Sequence, residues 1–215
     1  MRALIINFNR LTLPKNMAEW LAQRNLDPVF VDNNSDYPPL LEYYSNCPFE
    51  VLRMEANYGH EVIWRHGVIE RLGIKEDYIA TDPDLDLTGV PDDFVWVLNE
   101  GLRRYPNYDK CGLSLKIDHL PAQSARTWEE RFWVHPLDSV FFHAEVDTTL
   151  ALYQYHKQVR YPSFSAMRTN APYTARHVPW EYNLAIDLPE DEQYYYRTQL
   201  ASIGNHSNVI GAQRL

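Results

Sequence analysis

Apolar and polar positions alternate between two periods along the first half of the chain. Residues 3–8 form an apolar strand. After Pro14, Met17, Trp20 and Leu21 fall at i, i+3 and i+4 on one helical face, and Pro28 is expected to close that segment. A strand at 29–31 runs into the polar turn Asp32-Asn33-Asn34-Ser35-Asp36. A short helix at 40–44 and a strand at 49–53 follow, then a helix over 61–72 with Trp64, Val68 and Leu72 at i, i+4 and i+8. Tyr78-Ile79-Ala80-Thr81 reads as a buried strand. Pro91 opens a further helix, with Asp92 and Asp93 near its positive end and Val95, Leu98 and Leu102 on its apolar face. Residues 111–117 form another strand. This βαβα order predicts an α/β fold with a mostly parallel central sheet flanked by helices, its ligand at the carboxyl ends of the strands. Asn7-Phe8-Asn9-Arg10, Asp32–Ser35 and Asp82-Pro83-Asp84 lie at such ends.

Residues 128–136, 140–153 and 173–182 mix aromatics, His and acids without a clean period. No repeat or Gly/Ser linker interrupts the 215 residues, so a single domain is expected, in two halves (about 1–118 and 119–204) with a polar tail at 205–215.

The strand over 78–81 ends in Asp82-Pro83-Asp84. Residues i and i+2 of a strand share a face, so the two carboxylates can project together. Hard oxygen donors at that spacing suit Mn²⁺ or Mg²⁺, which accept one or two protein carboxylates and fill their other sites with phosphate and water. Solvated acids also cap many strands, and a third acid, Asp86, leaves the ligand pair open.

Charge and composition narrow the partners. A net charge of −9 argues against general nucleic-acid binding, which needs a basic face. No apolar run approaches the ~20 residues of a membrane span. The opening Met1-Arg2-Ala3-Leu4-Ile5-Ile6 lacks the features of a signal peptide. Two cysteines, Cys47 and Cys111, without metal-type spacing suit a reducing compartment, and a cytoplasmic location is expected.

Asn57-Tyr58-Gly59-His60, then Arg65-His66-Gly67, then a helix and the strand carrying Asp82 and Asp84, resemble the family 2-like glycosyltransferases of GT-A fold. Asn7–Arg10 and 29–35 are similar to that family's first two nucleotide-contacting loops. The resemblance covers about residues 3–118 and implies metal-dependent sugar transfer from a nucleotide-diphosphate donor, a UDP-sugar by preference, with inversion favoured, to a glycan or other hydroxyl acceptor. It implies that Asn7, Arg10, Asp32, Asn57 and Gly59 line the nucleotide pocket with Asp82, and that Asp82 and Asp84 hold the metal. A His in the C-terminal part completes the metal shell in many such enzymes, and His177, before Pro179-Trp180, is the candidate here. Equally ordinary readings are a plain turn at Asn57–Gly59, a capped polar loop at Asp32–Ser35 and a hydrogen-bonded His177.

Glu129-Glu130-Arg131-Phe132-Trp133, His143–Thr149 and Ala175–Trp180 are similar to a narrower group of small enzymes of this kind. An inverting transfer needs a carboxylate to take the acceptor's proton. Asp147, after the apolar run 140–142, is the first choice, with Glu145, Glu130 and Glu181 as alternatives. Asp147 could instead cap a helix over 148–153.

Three rival readings share the acidic stretch. Asp84-Leu85-Asp86-Leu87-Thr88 matches the nucleophile motif of haloacid-dehalogenase-like phosphatases, but no later Gly-Asp-x-x-x-Asp pair follows. Asp82, Asp84, Asp86 and Asp93 have calcium-loop spacing, yet Leu87 occupies the position that requires Gly. A nucleotidyltransferase would need a Gly-rich phosphate loop after the first strand.

Overall fold

A computed structural model describes residues 1–118, 120, 123–157, 165–181 and 187–200. Two sheets organise the chain. The larger has the order β3-β2-β1-β4-β9-β6-β10-β8, and the smaller is β5-β11-β7. The first half builds β1 (Arg2–Asn7), α1 (Thr12–Ala22), β2 (Asp27–Asp32), α2 (Pro38–Asn46), β3 (Glu50–Arg53), α3 (Val62–Arg65), α4 (Val68–Arg71) and β4 (Tyr78–Thr81). These four strands are mutually parallel, β1 lying between β2 and β4. β1, β2 and β4 are mostly apolar and buried on both faces, as a sheet covered on both sides requires, while the edge strand β3 is half-exposed.

The second half contributes β5 (Leu85–Asp86), α5 (Phe94–Arg104), β6 (Lys110–Gly112), β7 (Ser114–Leu115), α6 (Gln123–Glu130), β8 (Phe141–His143), β9 (Ala151–Tyr153), β10 (Ala166–Thr169), β11 (Thr174–His177), α7 (Val178–Glu181) and α8 (Glu190–Leu200). Here the sheet is mixed. β9 runs antiparallel to both β4 and β6, β10 is parallel to β6, and β8 closes the edge antiparallel to β10. Alternation along the central strands divides the core in two. Ile5, Phe30, Ile79, Cys111, Leu152 and Met167 face one layer with α1 and α5. Leu4, Val29, Ala80, Ala151, Tyr153 and Ala166 face the other with α3 and α4.

Several elements differ from the periodic reading. The helix expected over 61–72 is broken: Gly67 takes a left-handed φ of +65° and separates α3 from α4. Pro28 belongs to β2, because Asn25 at φ +60° has already turned the chain. In α5 the buried face is Phe94, Val97, Leu98, Gly101 and Leu102, while Val95 is half-buried. Gly101 lets the sheet come close: a Cβ there would lie 2.7 Å from the Phe141 ring. The helix considered over 148–153 does not form, since 151–153 is a strand hydrogen-bonded on both sides. The polar tail expected at 205–215 lies outside the described residues. No described helix is long and apolar enough to cross a membrane.

Candidate active site at the carboxyl end of β4

β4 delivers the acidic step to the carboxyl edge of the parallel strands. Asp82 continues toward β9: its N–H donates to the Thr148 carbonyl at 2.8 Å, and the Thr148 hydroxyl donates to Asp82 Oδ2 at 2.6 Å. Asp84 turns away into the smaller sheet. Its carbonyl accepts from Val178 N–H at 3.1 Å, which lays β11 beside β5 and brings His177 Nε2 to 3.7 Å from Asp84 Oδ1. Trp180 packs on the His177 ring with centroids 4.6 Å apart. A histidine 93 positions down the chain is thus held beside the second aspartate by strand pairing.

Arg10 supplies the fixed positive charge of this corner. Its Nη1 lies 2.5 Å from Asp84 Oδ2, with both side chains largely covered. Burial pushes the Asp84 carboxyl up, but Arg10 and His177 outweigh it and hold it below the usual carboxylate range. Asp82 is driven the other way, by burial first and then by the negative charge of Asp84, with Asp147 adding to the effect. Asp82, Asp84 and Asp147 therefore belong to one electrostatic neighbourhood, although Asp147 is exposed on the β8–β9 connection.

Asp84 offers one open carboxylate oxygen, the kind of donor that a hard divalent cation accepts. Asp84 Oδ1 is buried and has no hydrogen-bond partner among the described residues, while an imidazole nitrogen faces it. Among the described residues no group of three or more His, Cys, Asp or Glu is placed to hold a metal ion. Asp84 and His177 face one another while Asp82 is held toward Thr148, so a cation here would draw most of its shell from ligand phosphates and water.

The expected nucleotide loops meet next to this corner. Asn9, at φ +51°, joins them: its N–H donates to Ser35 Oγ at 2.8 Å and its Oδ1 accepts from Asp36 and Tyr37 N–H. Asn7 is buried, its Nδ2 donating to the Arg10 carbonyl and to Tyr44 Oη, both at 2.8 Å. Asp32 is fully buried. Its carboxylate accepts from Ser35 N–H and Oγ–H and from Arg53 Nε, so it holds the polar turn 33–36 rather than facing outward. Asn57 Oδ1 accepts from Gly59 N–H at 2.9 Å, and Gly59 uses a left-handed φ of +74°. Asn33 Nδ2 donates to the Gly59 carbonyl at 3.0 Å and ties this turn to β2.

The other acids diverge. Asp86 accepts from Thr88 N–H and stands 3.5 Å from Arg176 Nη1, while Asp93 accepts from Tyr173 Oη–H at 3.2 Å. The calcium-loop arrangement of Asp82, Asp84, Asp86 and Asp93 is not assembled. Glu130 is exposed on α6, and the Glu181 side chain lies outside the described residues. Glu145 is exposed two residues before Asp147, but no strand joins them, because β8 ends at His143.

Sequence reasoning missed Thr148, Trp180 and Glu192. Glu192 of α8 is 1% exposed, and its carboxylate accepts from Leu11 N–H, Thr12 N–H and Thr12 Oγ1–H at the start of α1. α1 has no side-chain cap of its own. No local motif could signal a cap that arrives from 180 residues away.

No protein-family model matches the chain, and no curated protein matches it. Solved structures match its fold. The mannosyltransferase PcManGT from Pyrobaculum calidifontis, in complex with GDP-Man and Mn²⁺, superposes with a TM-score of 0.51 at 12% identity, over 94% of this chain and 74% of that one. S. aureus TarS 1–349 gives a TM-score of 0.49 at 12% identity, over 95% of this chain and 65% of the other. The chain is an α/β protein sharing the fold of that mannosyltransferase.

Proposed function

We propose that this chain is a divalent-metal-dependent glycosyltransferase, moving a sugar from a nucleotide-diphosphate donor, a UDP-sugar by preference, to a glycan or other hydroxyl acceptor with inversion. The observation that carries this reading is the buried Asp84 Oδ1, which accepts no hydrogen bond from the described residues and faces His177 at the end of a central parallel strand. The fold it shares with a structure described as a mannosyltransferase with GDP-Man and Mn²⁺ supports it.

In this reading Asp82, Asp84 and His177 hold Mn²⁺ or Mg²⁺. When bound, the cation neutralises negative charge that grows on the departing diphosphate. Asn7, Arg10, Asn57 and Gly59 line the nucleotide pocket, and Asp32 acts through the turn that it holds. Arg10 adds fixed positive charge beside Asp84, where the phosphates must come. Asp147 accepts the proton of the acceptor hydroxyl as its oxygen bonds to the anomeric carbon and the bond to the diphosphate oxygen breaks. Its exposure leaves it accessible to an acceptor arriving from solvent.

A thermal-shift panel of nucleotide sugars with and without Mn²⁺ tests the proposal. The expected result is stabilisation by a uridine-linked sugar that requires the metal. No stabilisation by any nucleotide sugar in either condition would overturn it.

A further inference from the structure

The connection carrying Asp147 is bound from beneath by buried groups that the reaction as described does not use. Lys110 on β6 and Arg168 on β10 point to the same side of the sheet, since Lys110 is in register with Ala166 and Arg168 with Gly112. Both are nearly inaccessible, at 3% and 2% exposure. Lys110 Nζ donates to the Asp147 carbonyl at 3.2 Å and to Tyr153 Oη at 3.2 Å. Arg168 Nε donates to the Glu145 carbonyl at 2.5 Å, while its Nη1 pairs with buried Glu129 at 2.6 Å.

Gly112 lies on the same face, opposite Arg168 and two residues after Lys110. A Cβ on Gly112 would come within 2.7 Å of Val146 Cγ1 and 3.1 Å of the Ala151 side chain. Val146, 4% exposed, therefore plugs into the hollow that the glycine leaves. Three consecutive residues are fixed in this way: the carbonyl of 145 by Arg168, the side chain of 146 by Gly112, the carbonyl of 147 by Lys110. With those groups committed inward, the side chains of Glu145 and Asp147 are both left exposed. Thr148 then ties the same segment to Asp82.

We infer that Lys110, Gly112 and Arg168 form a cradle whose function is to aim the Asp147 carboxylate at the metal corner, which makes Lys110 and Arg168 positioning residues for the acceptor step. Burying Lys110 and Arg168 on one face of the sheet, even with Glu129 paired to Arg168, carries a desolvation cost. The cradle rests on the transferase reading for its chemistry, but its mechanical part stands apart from it.

The experiment compares the full-length wild type with Lys110→Met and Gly112→Ala, by amide hydrogen exchange and by Mn²⁺-supported transfer from the nucleotide sugar that stabilises the wild type most. In both variants, exchange at 144–149 is expected to rise at least tenfold while β1, β2 and β4 keep wild-type protection. The kcat is expected to fall at least tenfold with donor KM changed less than twofold, a split that general loosening would not produce. Arg168→Lys should recover part of the kcat lost in Arg168→Met. Unchanged exchange at 144–149 in Lys110→Met would overturn the cradle, whatever the activity. Raised exchange with unchanged kcat would overturn its role in aiming Asp147. If the wild type transfers no sugar, the transferase reading fails and the aiming of a catalytic base falls with it, while the exchange result still decides the cradle itself.

Discussion

Arg10 and Asp84 form a covered ion pair, Nη1 to Oδ2 at 2.5 Å, on the carboxylate proposed as a metal ligand. The pair leaves Asp84 Oδ1 to face His177. A cation drawn to this carboxylate must share it with the guanidinium. Removing Arg10 should therefore tighten the binding of Mn²⁺ alone and weaken the binding of the nucleotide diphosphate. Titration of Arg10→Gln with Mn²⁺, and separately with nucleotide diphosphate plus Mn²⁺, checks both signs. Weaker Mn²⁺ binding by the variant would contradict the competition.

Asp84→Ala removes the donor set while leaving the strands intact. Metal-dependent turnover should fall by at least about a hundredfold, the scale of a lost electrostatic contact at a developing charge. Stability should fall by about 1–3 kcal/mol, because Arg10 loses its carboxylate partner in a covered site. Steady-state kinetics and chemical denaturation measure the two effects. Wild-type turnover would remove the metal site.

Asp147→Asn keeps the shape of the side chain and loses its basicity. The variant should bind donor and metal as the wild type does, yet transfer at least about a hundredfold more slowly, in keeping with a lost general base. Calorimetry with donor, followed by a transfer assay, separates the two. Full activity would pass the role to Glu145, the exposed carboxylate two residues earlier.

Lys110 provides a pH test. Burial is the largest influence on its ammonium and Arg168 acts in the same direction, so the value drops from 10.5 to about 8 although Asp147 and Glu145 oppose the shift. Between about 8 and 10.5 the unfolded chain binds the proton and the folded one does not. Stability therefore rises with pH in that window and carries its full penalty below it. Relative to Lys110→Met, the wild type should gain up to about 3 kcal/mol between pH 7 and pH 10.5. Paired urea denaturation across that range measures the gap, and a constant gap would show that Lys110 titrates normally.

Glu192→Ala should loosen α8 and the start of α1 together. Three donors on Leu11 and Thr12 lose their acceptor, at a cost of about 2 kcal/mol, the upper end for a helix cap. Thermal denaturation gives the size, and faster proteolysis near residue 190 would locate it. An unchanged melting temperature would mean that water replaces the carboxylate at no cost.

Much of the framework is legible in the order of residues. Short continuous apolar runs rich in Ile, Val and Ala mark β1, β2 and β4, and a strand buried on both faces admits few other readings. The acidic step at the end of β4 is visible for the same reason: two carboxylates cannot continue a buried strand. The mixed half of the sheet was harder to read. β8 and β9 are three residues each, too short for a period to show, and 151–153 is a strand only because β4 and β6 offer hydrogen bonds on either side.

By itself the sequence determined what could be encoded within a few residues: the apolar runs that make buried strands, the glycine turn at 59, and the paired acids in a strongly acidic chain. Tertiary structure alone decided which distant groups those acids would meet. Arg10 lies 74 positions from Asp84, Thr148 lies 66 from Asp82, and His177 reaches Asp84 only through the pairing of β11 with β5. Local propensity acts over one helical turn or one strand pair, whereas the charge, burial and hydrogen bonding of a site are set by whatever the folded sheet brings within a few ångströms.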